Sequence, residues 1–453
     1  MLKWLNLLLA VTAAGSFYGY AAADGTVISP EPEPGPDALP GSYSITVEGF
    51  DWGAGVSRAV LSLEGEVEQV SPEQFLVMEE KQSPEHSSAD MFASYGALTV
   101  VRTRREVTAA YLSDEAGNRV RTASSCVTLE LAAAPGVGSP MCYHPEEEHY
   151  RWADPYQLVI DLAPGQTLSS GGTEYARLAV SRTPQGEYQM PLGGLFDTGR
   201  FTEDGVAIPY ASFSPEVDGR RHPLVIWLHG LGEGGLDPTV PLFGGKATVF
   251  ADEAFQSEMG GAYVLIPQCP TFWLDDGTGA STAGGESCYT GALMSLIRSF
   301  AGSAPGIDPD RIYVGGCSNG GYMTLALLLE DPDFFAAAFP VCEAYRDSWL
   351  SDRDIRRLSQ VPIWFVHSAQ DRVCPPQQST FPTFQRLLDA GAEQVYLSRM
   401  GAVEDQSGLE GENGGPYLYN PHYVWVPVLN NQCFLPDGRS LFQWLGEQRR
   451  PAR

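Results

Sequence analysis

The sequence predicts an α/β domain built on a doubly wound, mostly parallel sheet, preceded by a smaller all-β sandwich. Three observations carry that prediction. From about Tyr43 to Thr183 the chain runs in short β-prone stretches divided by turn residues. From about Leu192 onward, apolar strand-like runs alternate with helix-like segments, as a parallel sheet needs. Within that second region, Gly316-Cys317-Ser318-Asn319-Gly320 lies between the run Arg311-Ile312-Tyr313-Val314-Gly315 and the helix-like Gly321-Tyr322-Met323-Thr324-Leu325-Ala326-Leu327-Leu328. It reads as strand, sharp turn and helix with a serine at the apex.

In chain order, Met1-Leu2-Lys3, the apolar stretch from Trp4 to Ala14 and Ala21-Ala22-Ala23 before Asp24 supply a basic start, an apolar core and a small-residue cleavage site. Residues 1–23 are therefore expected to be a cleaved signal peptide, and the mature chain to be secreted or extracytoplasmic. The apolar run is short for a span and no later stretch approaches 18 apolar residues, so no stable membrane insertion is expected after cleavage. Residues 24–42, with Ser29-Pro30-Glu31-Pro32-Glu33-Pro34-Gly35-Pro36, read as a Pro/Glu-rich extended linker.

Residues 43–185 are expected to form the sandwich. Strand candidates there are Tyr43-Ser44-Ile45-Thr46-Val47, Ala59-Val60-Leu61-Ser62-Leu63, Val107-Thr108-Ala109-Ala110-Tyr111-Leu112, Cys126-Val127-Thr128-Leu129-Glu130-Leu131 and Tyr156-Gln157-Leu158-Val159-Ile160-Asp161-Leu162. This region carries no catalytic constellation. In His144-Pro145-Glu146-Glu147-Glu148-His149 the proline disfavours a helix and the spacing misses the His-Glu zinc motifs, so no metal site is expected. Residues 192–453 form the second domain, with strands near 223–228, 262–267, 311–316, 335–341, 361–367 and 395–399. Helices should follow the serine turn, fill Gln378 to Ala390 and close the chain at Ser440 to Gln448, where Leu441, Phe442, Trp444 and Leu445 make an apolar stripe.

A serine raised on such a turn is a candidate nucleophile, and only glycine leaves room for strand and helix to approach on either side of it. Its partners should follow in the order Ser, then Asp or Glu, then His. Of the seven histidines, six precede any workable acid beyond Ser318, which leaves His422 as the candidate base. Asp371 stands just after the buried-strand run Val361-Pro362-Ile363-Trp364-Phe365-Val366-His367 and is the favoured acid. Glu404 and Asp405 compete from a Gly-rich loop with no strand directly before it. His367 itself reads as a packed, hydrogen-bonded histidine at a strand end.

Upstream, Pro223-Leu224-Val225-Ile226-Trp227-Leu228 ends in His229-Gly230-Leu231-Gly232-Glu233-Gly234-Gly235. A His-Gly turn there can supply one backbone donor to an oxyanion and the residue after the nucleophile the other, which assigns Leu231 and Asn319. No Gly-Lys-Ser/Thr ending accompanies the glycines, which argues against a nucleotide loop. Phe272 and Trp273, after Pro267-Gln268-Cys269-Pro270, are candidates to line an acyl or aromatic pocket, with plain packing as the other reading.

From about Leu192 to the C-terminus the chain resembles the α/β-hydrolase esterases related to polyhydroxybutyrate depolymerases and feruloyl esterases, a group allied to the prolyl oligopeptidase-like hydrolases. The resemblance is carried by Pro223 to Gly230, Ile266-Pro267-Gln268-Cys269-Pro270, Ile307-Asp308-Pro309-Asp310-Arg311-Ile312-Tyr313-Val314, the serine turn, and Pro362-Ile363-Trp364-Phe365-Val366-His367. One departure is Pro421 before His422, where many relatives have glycine. The resemblance implies an immunoglobulin-like N-terminal domain and a secreted carboxylic ester hydrolase working through an acyl-enzyme on Ser318, His422 and Asp371, without a cofactor. Expected substrates are small or polymer-linked esters. A prolyl oligopeptidase-type peptidase could use the same residues, but no blade-like repeat is visible. An inactive binding protein is the reading from another class.

Formal charge is −28, from 56 acids against 28 bases. Such a chain repels phosphate backbones, so nucleic-acid binding is not expected. The eight cysteines show neither metal-type spacing nor a Cys-x-x-Cys pair. For an exported chain they suggest disulfides, with Cys126–Cys142, Cys269–Cys288, Cys317–Cys342 and Cys374–Cys433 as the pairing hypothesis. Nothing in the sequence specifies an oligomeric state.

Overall fold

The computed structural model describes residues 28–33, 35–84, 98–411 and 413–450, and the expected signal peptide lies outside them. The described residues fall into two compact units that divide between Gly194 and Leu195.

The first unit is all β. Its strands are β1 (Ala38–Phe50), β2 (Gly53–Val67), β3 (Phe75–Pro84), β4 (Leu98–Arg105), β5 (Val107–Ser113), β6 (Ser124–Leu131), β7 (Met141–His144), β8 (His149–Trp152), β9 (Tyr156–Leu162), β10 (Leu168–Ser170), β11 (Thr173–Tyr175) and β12 (Arg177–Val180). One sheet runs β11-β10-β2-β1-β12 and continues from β2 through β6 to β5, while β4-β3-β9 form a second and β7 with β8 a hairpin. Tyr43, Ile45 and Val47 of β1 alternate inward, which gives the period-2 pattern of a half-buried strand. The Tyr43 hydroxyl ties the sheets together by accepting from the Leu158 amide of β9 at 2.7 Å.

Two features of this unit depart from the sequence expectation. The linker is shorter than its composition suggests: β1 begins at Ala38, paired in parallel with Arg177 of β12, and Ser29 already donates from its amide and hydroxyl to the Glu80 carboxylate at 2.8 and 2.6 Å. Strand β3 was hidden because it carries Glu79, Glu80 and Lys81 into the interior. These charges are matched from across the fold. Arg105 donates to Glu79 at 2.8 Å and Arg102 to Glu80 at 2.8 Å, with Tyr156 and Gln157 adding further hydrogen bonds at 2.9 and 2.8 Å.

The second unit adds β13 (Asp197–Glu203), β14 (Val206–Phe213), β15 (His222–Leu228), β16 (Tyr263–Pro267), β17 (Ile307–Cys317), β18 (Ala337–Val341), β19 (Ile363–Ser368) and β20 (Val395–Met400) in one sheet, with short β21 (Val403–Glu404) and β22 (Leu418–Tyr419) apart from it. Sheet order is β13-β14-β16-β15-β17-β18-β19-β20. From β16 to β20 all neighbours are parallel, and β13 and β14 add an antiparallel edge that the sequence reading had not placed. The helices are α1 (Val240–Gly244), α2 (Glu253–Met259), α3 (Thr290–Ser303), α4 (Asn319–Glu330), α5 (Asp352–Leu358), α6 (Thr380–Asp389), α7 (Trp425–Leu429) and α8 (Leu441–Glu447).

Strands buried on both faces read as continuous apolar runs. In β15, Leu224, Ile226 and Leu228 join the core that holds Leu293 and Ile297 of α3 and Met323 and Leu327 of α4. Trp227, between them, points to the other face and packs on Phe250 and Phe339, while Trp364 of β19 packs on Trp444 of α8. Among the described residues no helix is long and apolar enough to cross a membrane.

Candidate active site

Ser318 ends β17 and caps α4 with φ 55° and ψ −113°. A non-glycine residue adopts such a backbone only where its surroundings impose it. Here the imposition is steric. A Cβ on Gly320 would stand 2.0 Å from the Leu228 carbonyl oxygen, and one on Gly316 would stand 2.5 Å from the same atom. The two glycines let the turn press onto the end of β15, so the serine turn and the His229-Gly230 turn share one end of the sheet.

Asp371 lies three residues beyond β19, and its carboxylate is enclosed by donors. Oδ1 accepts from the amides of Val373 and Cys374 at 2.8 and 3.1 Å. Oδ2 lies 2.7 Å from His422 Nδ1 and 3.1 Å from His367 Nε2. Burial alone would raise this carboxyl, but the hydrogen bonds from His367 and His422 outweigh it and hold the group well below the usual carboxylate range. His422 is almost wholly buried, its amide bonded to Asn420 Oδ1 at 2.9 Å and its ring set edge-on to Trp425. The Nδ1 bond to Asp371 fixes the orientation of the ring. The competing acids are placed otherwise: Glu404 is exposed, and Asp405 organises its own loop through Ser407, Leu409 and the Tyr419 hydroxyl.

The two assigned backbone donors sit at turns. Leu231 opens the short 3₁₀ turn after β15, and Asn319 is the first residue of α4, where helix amides have no partner within the helix. The loop carrying Leu231 is held rigidly. The His229 ring bonds to the Gly230 carbonyl at 2.7 Å through Nδ1 and accepts the Cys269 amide at 2.9 Å through Nε2, which makes it a neutral imidazole protonated on Nδ1. Glu233, buried, accepts the Gly230 amide at 2.8 Å, and burial pushes its carboxyl up to about 8. Sequence reasoning missed Glu233, since an acid among glycines looks like a solvated loop residue.

Of the two readings for Trp273, the structure favours plain packing over a pocket wall. The residue is fully buried in the core against His229 and Tyr289, and its amide donates to Asn319 Oδ1 at 2.5 Å, so it braces the residue after the serine from beneath. Phe272 is half-buried. The cysteines also differ from the pairing hypothesis: all eight are free thiols. Cys142 Sγ contacts His144 rather than Cys126, and Cys374 is not bridged to Cys433.

Residues 42–173 match the esterase Ig-like N-terminal domain, and residues 294–346, which span the serine turn, match the prolyl oligopeptidase family. A crystal structure described as a thermostable esterase is similar over 90% of this chain and 100% of its own, with a TM-score of 0.70 and 24% identity. The second unit has the α/β-hydrolase fold, and the unit before it is similar to the esterase Ig-like domain. No curated protein matches the sequence. A ferulic acid esterase (14% identity, TM-score 0.35, 46% of this chain and 90% of that one) and an acylaminoacyl peptidase of Pyrococcus horikoshii (17%, 0.36, 60% and 46%) are similar at TM-scores too low to bear on what this hydrolase does.

Proposed function

We propose that the hydrolase is a secreted carboxylic ester hydrolase acting through an acyl-enzyme on Ser318, His422 and Asp371. The observation that carries the reading is the buried 2.7 Å bond from His422 Nδ1 to Asp371, at the same sheet end as a serine held in a strained turn. His422 Nε2 takes the Ser318 proton as the hydroxyl attacks an acyl carbonyl, and Asp371 fixes the tautomer and stabilises the imidazolium. The amides of Leu231 and Asn319 receive the oxyanion. His422 then protonates the leaving alcohol, and a water repeats the cycle on the acyl-enzyme. The substrate class is a small or polymer-linked ester. Export is supported by the basic start and apolar stretch of the first 23 residues.

Intact mass after treatment with a fluorophosphonate tests this reading. The wild type is expected to gain one label and Ser318→Ala none, with ester turnover falling on the order of 10⁶-fold in the variant. A Ser318→Ala protein with wild-type turnover overturns it. The match to the prolyl oligopeptidase family keeps a peptidase as the second reading. Parallel assays on an acyl ester and the matching peptide amide separate the two, and amide turnover equal to or above ester turnover would favour the peptidase.

A further inference from the structure

We propose that His367 is a positioning residue for the acid of this site, holding Asp371 through its Nε2–H while a buried relay of Thr380 and Glu343 governs its other nitrogen. The proposal rests on the reading of Asp371 and His422 given above. His367 closes β19 with no exposed surface. Its Nε2 lies 3.1 Å from Asp371 Oδ2 and 2.9 Å from the Cys374 carbonyl oxygen. Both are acceptors, and a bare ring nitrogen between them would be repelled by each, so Nε2 carries a proton.

The other nitrogen, Nδ1, lies 2.7 Å from Thr380 Oγ1, and that hydroxyl lies 2.7 Å from Glu343 Oε1. One hydroxyl proton serves both neighbours, which leaves two consistent arrangements. In one, a protonated Glu343 donates to Thr380, and Thr380 donates to a neutral His367. In the other, an imidazolium donates to Thr380, and Thr380 donates to a carboxylate. They hold the same number of protons, differ only by a shift across the hydroxyl, and both keep Nε2–H on Asp371. Glu343 Oε2 is taken by the Tyr345 amide at 2.6 Å, which leaves Oε1 as the oxygen that bears or receives the proton. Burial pushes the Glu343 carboxyl up to about 8. The titratable groups facing Glu343 are Asp347, Tyr345 and Cys374, while Asp371 faces both His367 and His422. Helix α4 seals the relay, because Gly321 packs directly on Glu343.

The functional consequence follows from Asp371 Oδ2, which serves two imidazoles. Donation from His367 draws electron density from the oxygen that holds the His422 proton. Losing that donation leaves more charge on Oδ2 facing the His422 proton and frees the carboxylate to rotate.

The test is the pH dependence of kcat/KM on a soluble acyl ester for wild type, His367→Leu, His367→Gln and Thr380→Val. In His367→Leu the acidic limb is expected to move up by about one pH unit. Its kcat should fall on the order of 10- to 100-fold with KM within about twofold. His367→Gln, whose amide can reach Asp371 as Nε2–H does, should return the limb toward its wild-type position, and Thr380→Val should shift it in the same direction as His367→Leu but less. An acidic limb unmoved in both His367→Leu and Thr380→Val overturns the proposal. If His367→Leu does not fold, Thr380→Val against wild type decides it by the same criterion. Fluorophosphonate labelling of the same proteins separates the two levels: unlabelled folded wild type defeats the catalytic reading itself, whereas normal labelling with an unmoved limb defeats only the role of His367.

Discussion

Asp371 concentrates the electrostatics of the site in one side chain. Four donors converge on it, two from backbone and two from imidazoles, and their sum outweighs the cost of burial. Asp371→Asn keeps the shape but replaces one acceptor oxygen with a donor, so His422 loses the partner that fixes its tautomer. Turnover of an acyl ester is expected to drop about 10⁴-fold with KM little changed. A drop below tenfold would mean that another group orients His422. At this scale the sequence was legible where order along the chain constrains chemistry. Only His422 follows a workable acid, and Asp371 follows a buried strand. His367, Glu233 and Glu343 were not legible in the same way, because each owes its role to atoms at or beyond a turn that sequence spacing does not measure. Glu343, for example, meets Thr380 across 37 positions.

At the scale of elements, the apolar runs that became β15, β17 and β19 were readable because a parallel strand covered on both faces needs no polar side. Strand β3 broke that rule and escaped notice. Its acids are buried only because Arg102 and Arg105 of β4 lie across from them, a pairing that no local pattern reports. Arg105 is 1% exposed and also donates to the carbonyls of Val56 and Ala132 at 2.7 and 2.9 Å. Removing it leaves Glu79 only the longer 3.6 Å pairing with Lys81, so Arg105→Met is expected to destabilise the Ig-like domain by about 3–5 kcal/mol. Urea unfolding followed by a probe in that domain checks this, and a change below about 1 kcal/mol would show that Lys81 and Tyr156 suffice for Glu79. The serine turn is the complementary case. Gly316 and Gly320 were predicted as spacers, and the structure supplies the atom they make room for, the Leu228 carbonyl oxygen.

For the whole molecule, stability should vary with pH through two buried carboxyls. Glu233 and Glu343 each rise from an ordinary 4.5 to about 8 in the fold. The folded chain therefore binds protons that the unfolded chain releases above about 4.5. Their contribution is complete below that pH, falls as pH rises through 8, and is level beyond it. Asp371 acts in the opposite sense: its depressed pKa contributes stability above the unfolded value, lost as pH falls through the folded one. The melting temperature is thus expected to decline between about pH 5 and 8, and Glu233→Gln with Glu343→Gln should flatten that decline. An equal slope in wild type and the double variant would show that other groups, drawn from an excess of 28 acids over bases, set the trend.

What the sequence determined by itself was periodicity and order: a β domain before an α/β domain, a serine on a glycine-flanked turn, and one histidine after one well-placed acid. These are properties of neighbours along the chain, set by steric room and by which faces must be apolar. Tertiary structure decided what depends on neighbours in space. It packed Trp273 into the core beneath Asn319, left the eight thiols unpaired, and placed His367 on Asp371 with Glu343 behind it. The reason is physical. Hydrogen bonds and desolvation act over a few ångströms, and only the folded chain brings residues 343, 367, 371, 380 and 422 within that reach.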